Sequence, residues 1–271
     1  MGSMSYPPQP PVMPWAPAPP PRRPRHPEAK LGKFTWRDLI TVLAYALLMF
    51  LGLGALVLFI PGVPELLGRD ETTMIFAANL VSYAISFALV LWALGPELWR
   101  SFKTFRWYPW AKYLSIPGAW LSTIITSAVV VAVAATAMGM NPEDINQSAN
   151  QQEASELISA MPFGLMLVMV VIMGPLVEEF VFRHLLIGKL SRWINPWIMV
   201  VVSALLFMSL HFIGKEWPTV ITAAPYVVMG VSFGVGYVLS GKSIGYAWVM
   251  HAFSNFMALS LSTLLAPYLP S

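Results

Sequence analysis

The chain has 271 residues, of which 57% are hydrophobic and only 11% charged, and its formal net charge is +3. Soluble globular domains carry about 25% charged residues. This composition, with a mean hydropathy of +0.65, therefore excludes an ordinary soluble protein and indicates a polytopic protein of a lipid bilayer with no nucleic-acid partner. The sequence contains no cysteine, which excludes a disulfide framework, a thiolate nucleophile and a cysteine-ligated metal.

The chain begins with a proline-rich stretch. Residues 1–30 contain eleven prolines, a composition that cannot bury a hydrophobic core. We predict a disordered cytoplasmic tail over residues 1–34. Proline-rich segments also bind partners that recognise extended polyproline, so a binding partner of this tail is a further expectation.

Seven apolar segments follow the tail, each near the roughly 20 residues that a bilayer core requires. Backbone polar groups must be satisfied within each segment, so the segments should be helices. The predicted fold is an all-α bundle of about seven spanning helices. The segments are 38–60, 72–94, 114–138, 161–187, 195–213, 218–240 and 243–266. They form an N-terminal part, 35–160, with helices 1–3 and their loops, a C-terminal part, 161–266, with helices 4–7, and a short tail, 267–271.

The cations predict the orientation. All but Arg69 and Lys215 of the 16 lysines and arginines fall in the N-terminal tail or in alternate loops and segment ends on the same side. Because cationic loops stay in the cytoplasm, we place the N-terminus in the cytoplasm and the C-terminus outside.

Two adjacent carboxylates, Glu178 and Glu179, lie deep in the fourth segment. An ionisable group in lipid costs roughly 2.5–3.5 kcal/mol on insertion scales, so such a group indicates function. Glu179 and Arg183 are four residues apart and share a helix face, which predicts a structural ion pair. Glu178 then faces the bundle as a candidate general base or acid. Gly174-Pro175 just before it should loosen the helix and free a backbone carbonyl.

Three of the four histidines lie in or beside apolar segments. His184 follows Arg183 and is expected at the cytoplasmic interface. His211 is one turn after Phe207, and His251 is one turn before Asn255, so each pair shares a helix face. If the helices converge, a carboxylate, two imidazoles and an amide meet in one cavity.

Three chemistries fit that set of groups. Glu178 could activate a water with help from His211, while His251 and Asn255 stabilise an oxyanion. Alternatively, a divalent metal such as zinc could be held by Glu178, His211 and His251. Glutamate and histidine could also relay protons in a transporter, although helices 1–3 show no buried charge in the sequence. A non-catalytic membrane scaffold working through the tail is the remaining alternative.

The three motifs resemble those of the CPBP family of intramembrane proteases, which includes type II CAAX prenyl endopeptidases and bacterial Abi or bacteriocin-processing proteins. That family's pattern is EExxxR, FxxxH and HxxxN or HxxxD. All three motifs occur here, in order and on separate apolar helices. They read Glu178-Glu179-Phe-Val-Phe-Arg183, Phe207-Met-Ser-Leu-His211 and His251-Ala-Phe-Ser-Asn255.

The resemblance covers about residues 161–260 and implies a catalytic part made of helices 4–7. It implies an endopeptidase of the bacterial plasma membrane that acts on a peptide or membrane-protein substrate. Glu178 and His211 would activate water, His251 and Asn255 would stabilise the oxyanion, and Glu179, Arg183 and Phe207 would support the site. The family includes proteins described as metal-dependent and as metal-independent, so both mechanisms stay open.

The predicted depth of His211 conflicts with this site. At ~1.5 Å per residue, His211 lies roughly 24 Å from Asn195, nearer the outer face than Glu178 or His251. Either the fifth helix is tilted, or it starts later in the chain; otherwise His211 is not part of the site.

Overall fold

The computed structural model describes residues 31–141 and 148–265, and the regular structure within these ranges is entirely helical. The predicted all-α polytopic bundle is confirmed. Residues 1–30 and 266–271, on which most of the predictions for the two tails and for a tail-binding partner fall, lie outside the described residues.

The helices follow the predicted apolar segments in order. Short helical turns, Leu53–Phe59, Val63–Leu66, Pro96–Ser101 and Phe102–Arg106, connect the first three long helices. The longer helices are α1 (Trp36–Phe50), α2 (Glu71–Leu94), α3 (Pro109–Ala137), α4 (Ala149–Ala160), α5 (Phe163–Arg192), α6 (Pro196–Leu210), α7 (Val220–Leu239) and α8 (Ile244–Leu265).

Five of the described helices, α2, α3, α5, α7 and α8, are long and apolar enough to cross a membrane. α1 and Leu53–Phe59 are bent by 63° where they meet. If the two count as one broken span, the described residues contain a sixth span. The break is at Gly52, whose φ of +64° lies in the left-handed region that glycine adopts without strain. α6 has only 15 residues, fewer than the roughly 20 that a bilayer core requires.

Polar side chains define where several helices begin. Thr35 and Asp38 form a reciprocal capping box at the start of α1, and Asp70 accepts a hydrogen bond from the Thr73 amide at the start of α2. Ser148 and Thr219 cap α4 and α7 in the same way. These side chains satisfy amides that have no partner within the first turn of a helix.

α5 is the central element of the bundle. In its most apolar stretch, 61% of the residues are buried inside the protein, compared with 39% in α7. α7 closes over it by packing directly on α6: a Cβ atom on Gly230 would lie 2.9 Å from the Ala204 Cα. Only a residue without a side chain allows this approach, which brings α6 and α7 together beside α5.

Buried charges occur in the N-terminal helices, contrary to the sequence-based expectation. Asp38 on α1 is buried and forms an ion pair with Lys189 on α5, with 2.6 Å between carboxylate and ammonium. Lys112 on α3 is buried too, and its ammonium donates to the Thr104 carbonyl. The burial of these two charges was missed because both residues lie at the ends of apolar segments, where charged side chains usually reach water. Charge in helices 1–3 therefore no longer counts against a transporter.

Candidate active site

α5 departs from α-helical geometry on both sides of the glutamates. Wider π-helical turns cover Leu167–Met173 and Phe180–Lys189, and a short α-helical stretch, Gly174–Glu179, separates them. In a π-helix each amide bonds to the carbonyl five residues earlier. Such turns are frequent at functional sites because they displace side chains from the regular spiral.

Pro175 accounts for one unpaired carbonyl in the first π-turn. Proline has no amide hydrogen, so the Val170 carbonyl, five residues earlier, lacks its π-helical donor. The Asn255 amide nitrogen on α8 supplies the missing hydrogen bond at 2.9 Å. The expectation that Gly174-Pro175 frees a carbonyl is met, and Asn255 lies against that carbonyl. A second side chain of α8, Trp248, donates to the Ile172 carbonyl at 3.0 Å.

Glu179 is the centre of a buried network of charged groups. Its Oε1 atom lies 3.1 Å from Nη1 of Arg183, which is the predicted ion pair, and both side chains are completely buried. The same oxygen lies 2.9 Å from Nδ1 of His251. A carboxylate oxygen accepts this hydrogen bond, so Nδ1 of His251 carries the proton. Glu179 therefore orients the imidazole as well as the guanidinium.

Aromatic rings and one carbonyl complete the surroundings of Arg183. Its guanidinium carbon lies 4.7 Å from the ring centre of Phe207 and 5.4 Å from that of Phe233. Its Nη2 atom donates to the Gly230 carbonyl at 3.3 Å. Cation–π contacts of this kind contribute more when the cation is removed from water. The aromatic cage explains how the interior holds an arginine.

Glu178 faces the opposite side of His251. Its Oε2 atom lies 3.7 Å from Nε2 of the imidazole, and the residue is only 8% exposed. Its Oε1 atom accepts a hydrogen bond from the Tyr83 hydroxyl at 3.4 Å. Although the two glutamates point about 100° apart on the helix, one imidazole lies between them.

His211 is the residue immediately after α6. Its Nδ1 atom lies 2.8 Å from the Phe207 carbonyl. A carbonyl only accepts, so in the neutral ring Nδ1 carries the proton and Nε2 holds the lone pair. Within the described residues, no hydrogen bond or ion pair joins His211 to Glu178 or His251.

The end of α6 reaches the site even though the depth estimate placed it elsewhere. Phe207 packs against Phe182 on α5, at 5.4 Å between ring centres, and against His251 at 6.0 Å. α6 begins at Pro196, almost where we predicted, so a late start does not resolve the conflict. Because α6 is too short to cross the bilayer core, its C-terminal end can lie at the depth of Glu178 and His251 and not at the outer face.

A metal site was the alternative drawn from Glu178, His211 and His251. Within residues 31–141 and 148–265, no group of three or more histidine or acidic side chains is placed to hold a metal ion. Glu178, His211 and His251 as arranged here do not fit a three-ligand site.

Two residues have positions that the sequence did not indicate. Tyr83 on α2 contacts Glu178, but one tyrosine in an apolar helix gives no pattern that would identify its partner. His184, expected at the cytoplasmic interface, is buried and lies 3.7 Å from Glu97. Its ring stacks on Phe180 with 18° between the planes. The position of His184 near the end of the apolar segment indicated neither its burial nor its contact with Glu97.

Comparison with known proteins identifies the segment that holds these groups. Residues 160–257 match the model of the family described as type II CAAX prenyl endopeptidase Rce1-like. An uncharacterised protein of Mycoplasma capricolum subsp. capricolum is 31% identical over 97 residues, which are 36% of this chain. The chain spans only 27% of that relative's length. No solved structure matches the chain.

Proposed function

We propose that this chain, whose residues 160–257 match the model of the type II CAAX prenyl endopeptidase Rce1-like family, is an intramembrane endopeptidase. The observation that carries the proposal is the position of His251 between two carboxylates. Glu179 fixes one ring nitrogen at 2.9 Å, and the other nitrogen lies 3.7 Å from Glu178. A carboxylate facing an oriented imidazole, in an interior almost free of water, is suited to proton transfer.

The charges of the site define its resting state. Glu178, Glu179 and Arg183 together carry one excess negative charge when all three are ionised. Burying net charge is costly, so the group is neutral when the Glu178–His251 pair holds one extra proton. With that proton on Nε2 of His251, Glu178 is an ionised base beside a positively charged hydrogen-bond donor.

Hydrolysis then proceeds through a single water molecule. Glu178 takes a proton from the water, while the oxygen of that water attacks the carbonyl carbon of the scissile peptide bond. The carbonyl oxygen becomes an oxyanion, and Nε2–H of His251 donates a hydrogen bond to it. The protonated Glu178 then passes its proton to the leaving nitrogen, and the C–N bond breaks to give a carboxylic acid and an amine. The acid finally transfers its proton to the amine, which leaves a carboxylate and an ammonium group.

Two further side chains have supporting roles in this mechanism. The Asn255 amide carries two N–H groups, and one of them donates to the Val170 carbonyl. The second is available to the oxyanion. His211 holds the lone pair of its neutral ring on Nε2. It accepts a hydrogen bond from the attacking water, or the proton that this water releases. Glu179, Arg183 and Phe207 hold the other groups in place.

The substrate class is proposed from the family match, and the membrane orientation from the distribution of lysines and arginines. The substrate is a peptide or a membrane protein whose cleaved bond enters the bundle. The N-terminus lies in the cytoplasm and the C-terminus outside, in a bacterial plasma membrane. The CAAX-type assignment supplies a probe, a farnesylated CAAX peptide, without restricting the natural substrate to prenylated proteins.

Two parallel measurements test the proposal. The purified chain in proteoliposomes is given an internally quenched farnesylated CAAX peptide. In host cells lacking the gene, wild type or a variant is restored, and the peptide termini in the membrane fraction are compared by mass spectrometry. Glu178→Gln is the test variant, and Glu156→Gln, an exposed glutamate on α4, is the matched control.

We expect wild type and Glu156→Gln to produce cleavage in at least one of the two measurements. Glu178→Gln should reduce it by roughly 10²–10⁴-fold, the usual contribution of a general base. The proposal is overturned if neither measurement detects cleavage, or if Glu178→Gln cleaves as fast as the control.

A further inference from the structure

Tyr83 connects the N-terminal helices to the proposed base. It lies on α2, outside the matched segment 160–257, and its hydroxyl donates to Oε1 of Glu178 at 3.4 Å. The ring of Tyr83 lies beside Gly174, about one helical turn before Glu178. A Cβ atom on Gly174 would lie 3.4 Å from Cε1 of the Tyr83 ring. The tyrosine ring therefore lies against the backbone of α5, with its hydroxyl directed at the carboxylate.

The two oxygens of Glu178 have different partners as a result. Oε1 accepts from Tyr83, while Oε2 faces Nε2 of His251 at 3.7 Å. The terminal torsion of a glutamate is broad and roughly two-fold, so the covalent geometry alone leaves the carboxylate plane undefined. A hydrogen bond to one oxygen is what fixes that plane.

We propose that Tyr83 is a positioning residue that orients the Glu178 carboxylate, so that Oε2 is the oxygen that takes the proton from water. The inference rests on the proposed function and adds to it a contribution from outside the Rce1-like domain. Because orientation matters only when the base is used, the effect should be on the chemical step and not on binding of the peptide.

The neighbours of Tyr83 favour a fixed hydroxyl over a mobile one. Its ring packs against a buried cluster that includes Phe76 on α2 and Met169 on α5. These contacts hold the ring against α5, so that its hydroxyl stays directed at Glu178.

The test compares two substitutions that each remove a single hydroxyl. Tyr83→Phe keeps the ring that packs on Gly174 and loses only the donor to Glu178. Tyr246→Phe is the matched control: this buried tyrosine on α8 bonds to Ser115 at 2.6 Å, and no hydrogen bond joins its hydroxyl to Glu178 within the described residues. The substrate is the farnesylated CAAX peptide or the natural peptide identified from the membrane fraction.

We expect Tyr83→Phe to lower kcat by about tenfold, the scale of one hydrogen bond to a charged group. KM and the thermal unfolding midpoint should stay at the wild-type values. Tyr246→Phe should leave kcat unchanged. The inference is overturned if kcat of Tyr83→Phe is within about twofold of wild type, if the change is confined to KM, or if Tyr246→Phe loses as much.

These outcomes are distinct from failure of the proposed function. If Glu178→Gln is inactive while Tyr83→Phe retains full activity, the base stands and the positioning role of Tyr83 is wrong. If Glu178→Gln retains full activity, the proposed function itself is wrong, whatever Tyr83→Phe does.

Discussion

His251 and Glu179 lie 72 residues apart in sequence, and Nδ1 of the imidazole is 2.9 Å from Oε1 of the carboxylate. The second glutamate of the adjacent pair is therefore not only the ion-pair partner of Arg183. It also fixes the ring whose other nitrogen faces Glu178. The two glutamates therefore lie on opposite sides of one imidazole.

Glu179→Gln should unfold the protein more readily and abolish cleavage. It leaves the Arg183 guanidinium buried without a counter-charge, a change that typically costs about 3–5 kcal/mol. The measurement is the midpoint of chemical unfolding in detergent micelles.

Glu65→Gln is the matched control for Glu179→Gln. It breaks another i, i+4 pair with an arginine, Arg69, whose side chain is 73% exposed. Because the control pair is solvated, its loss should have no measurable effect. Equal midpoints for the two variants would contradict a buried, stabilising network.

Asn255→Ala removes the donor that satisfies the Val170 carbonyl. A buried acceptor without a partner costs about 1–3 kcal/mol, so we expect a moderate loss of stability together with a large loss of cleavage. Hydrogen exchange should show faster exchange of amides in Leu167–Met173. Unchanged exchange there would show that the contact does not hold the π-turn.

Pro175→Ala restores an amide hydrogen that can bond to the Val170 carbonyl. Proline inside a helix ordinarily destabilises it by ~3 kcal/mol or more, so we expect this variant to be at least as stable as wild type. Cleavage should fall, because the new donor displaces Asn255 from its carbonyl. A variant that is more stable and equally active would contradict a role of the π-turn in cleavage.

Cleavage should survive removal of divalent metal. The described residues hold no group of three suitable ligands, so Glu178 is expected to act without a metal. The measurement is the cleavage rate of the farnesylated CAAX peptide before and after dialysis against a strong chelator. A loss of activity that returns on adding zinc would contradict this expectation.

The orientation can be tested directly because the chain has no cysteine. Lys103→Cys should be blocked by an impermeant thiol reagent only in inside-out vesicles, and Arg69→Cys only in intact cells. Both positions are exposed, so accessibility of the side chain is matched. The opposite pattern would place the N-terminus outside.

Sequence reasoning identified the candidate residues but not the contacts between them. Glu178 stood out because ionisable groups in lipid are rare, and the Glu179–Arg183 pair followed from helical spacing. The bond from His251 to Glu179 joins two helices distant in sequence, and no periodicity reports it. The contact of Tyr83 with Glu178 was hidden for the same reason.

The fold was predictable to a similar extent. Among the described helices, apolar length indicated α1–α3 and α5–α8, since bilayer thickness sets that length. It missed α4, whose sequence is polar. It did not reveal the bend at Gly52 or the shortness of α6, because both depend on tertiary packing. Nor did it indicate the two π-helical stretches of α5, which depend on the local hydrogen bonds of that helix.

The central claim is that Glu178 activates a water molecule for hydrolysis of a peptide bond. The most direct measurement is cleavage of the farnesylated CAAX peptide in water enriched in ¹⁸O, with mass spectrometry of the products. We predict one ¹⁸O atom in the new carboxylate with wild type and Glu156→Gln, and no product above background with Glu178→Gln. Product formed by Glu178→Gln at the wild-type rate, with the same label, would contradict the account.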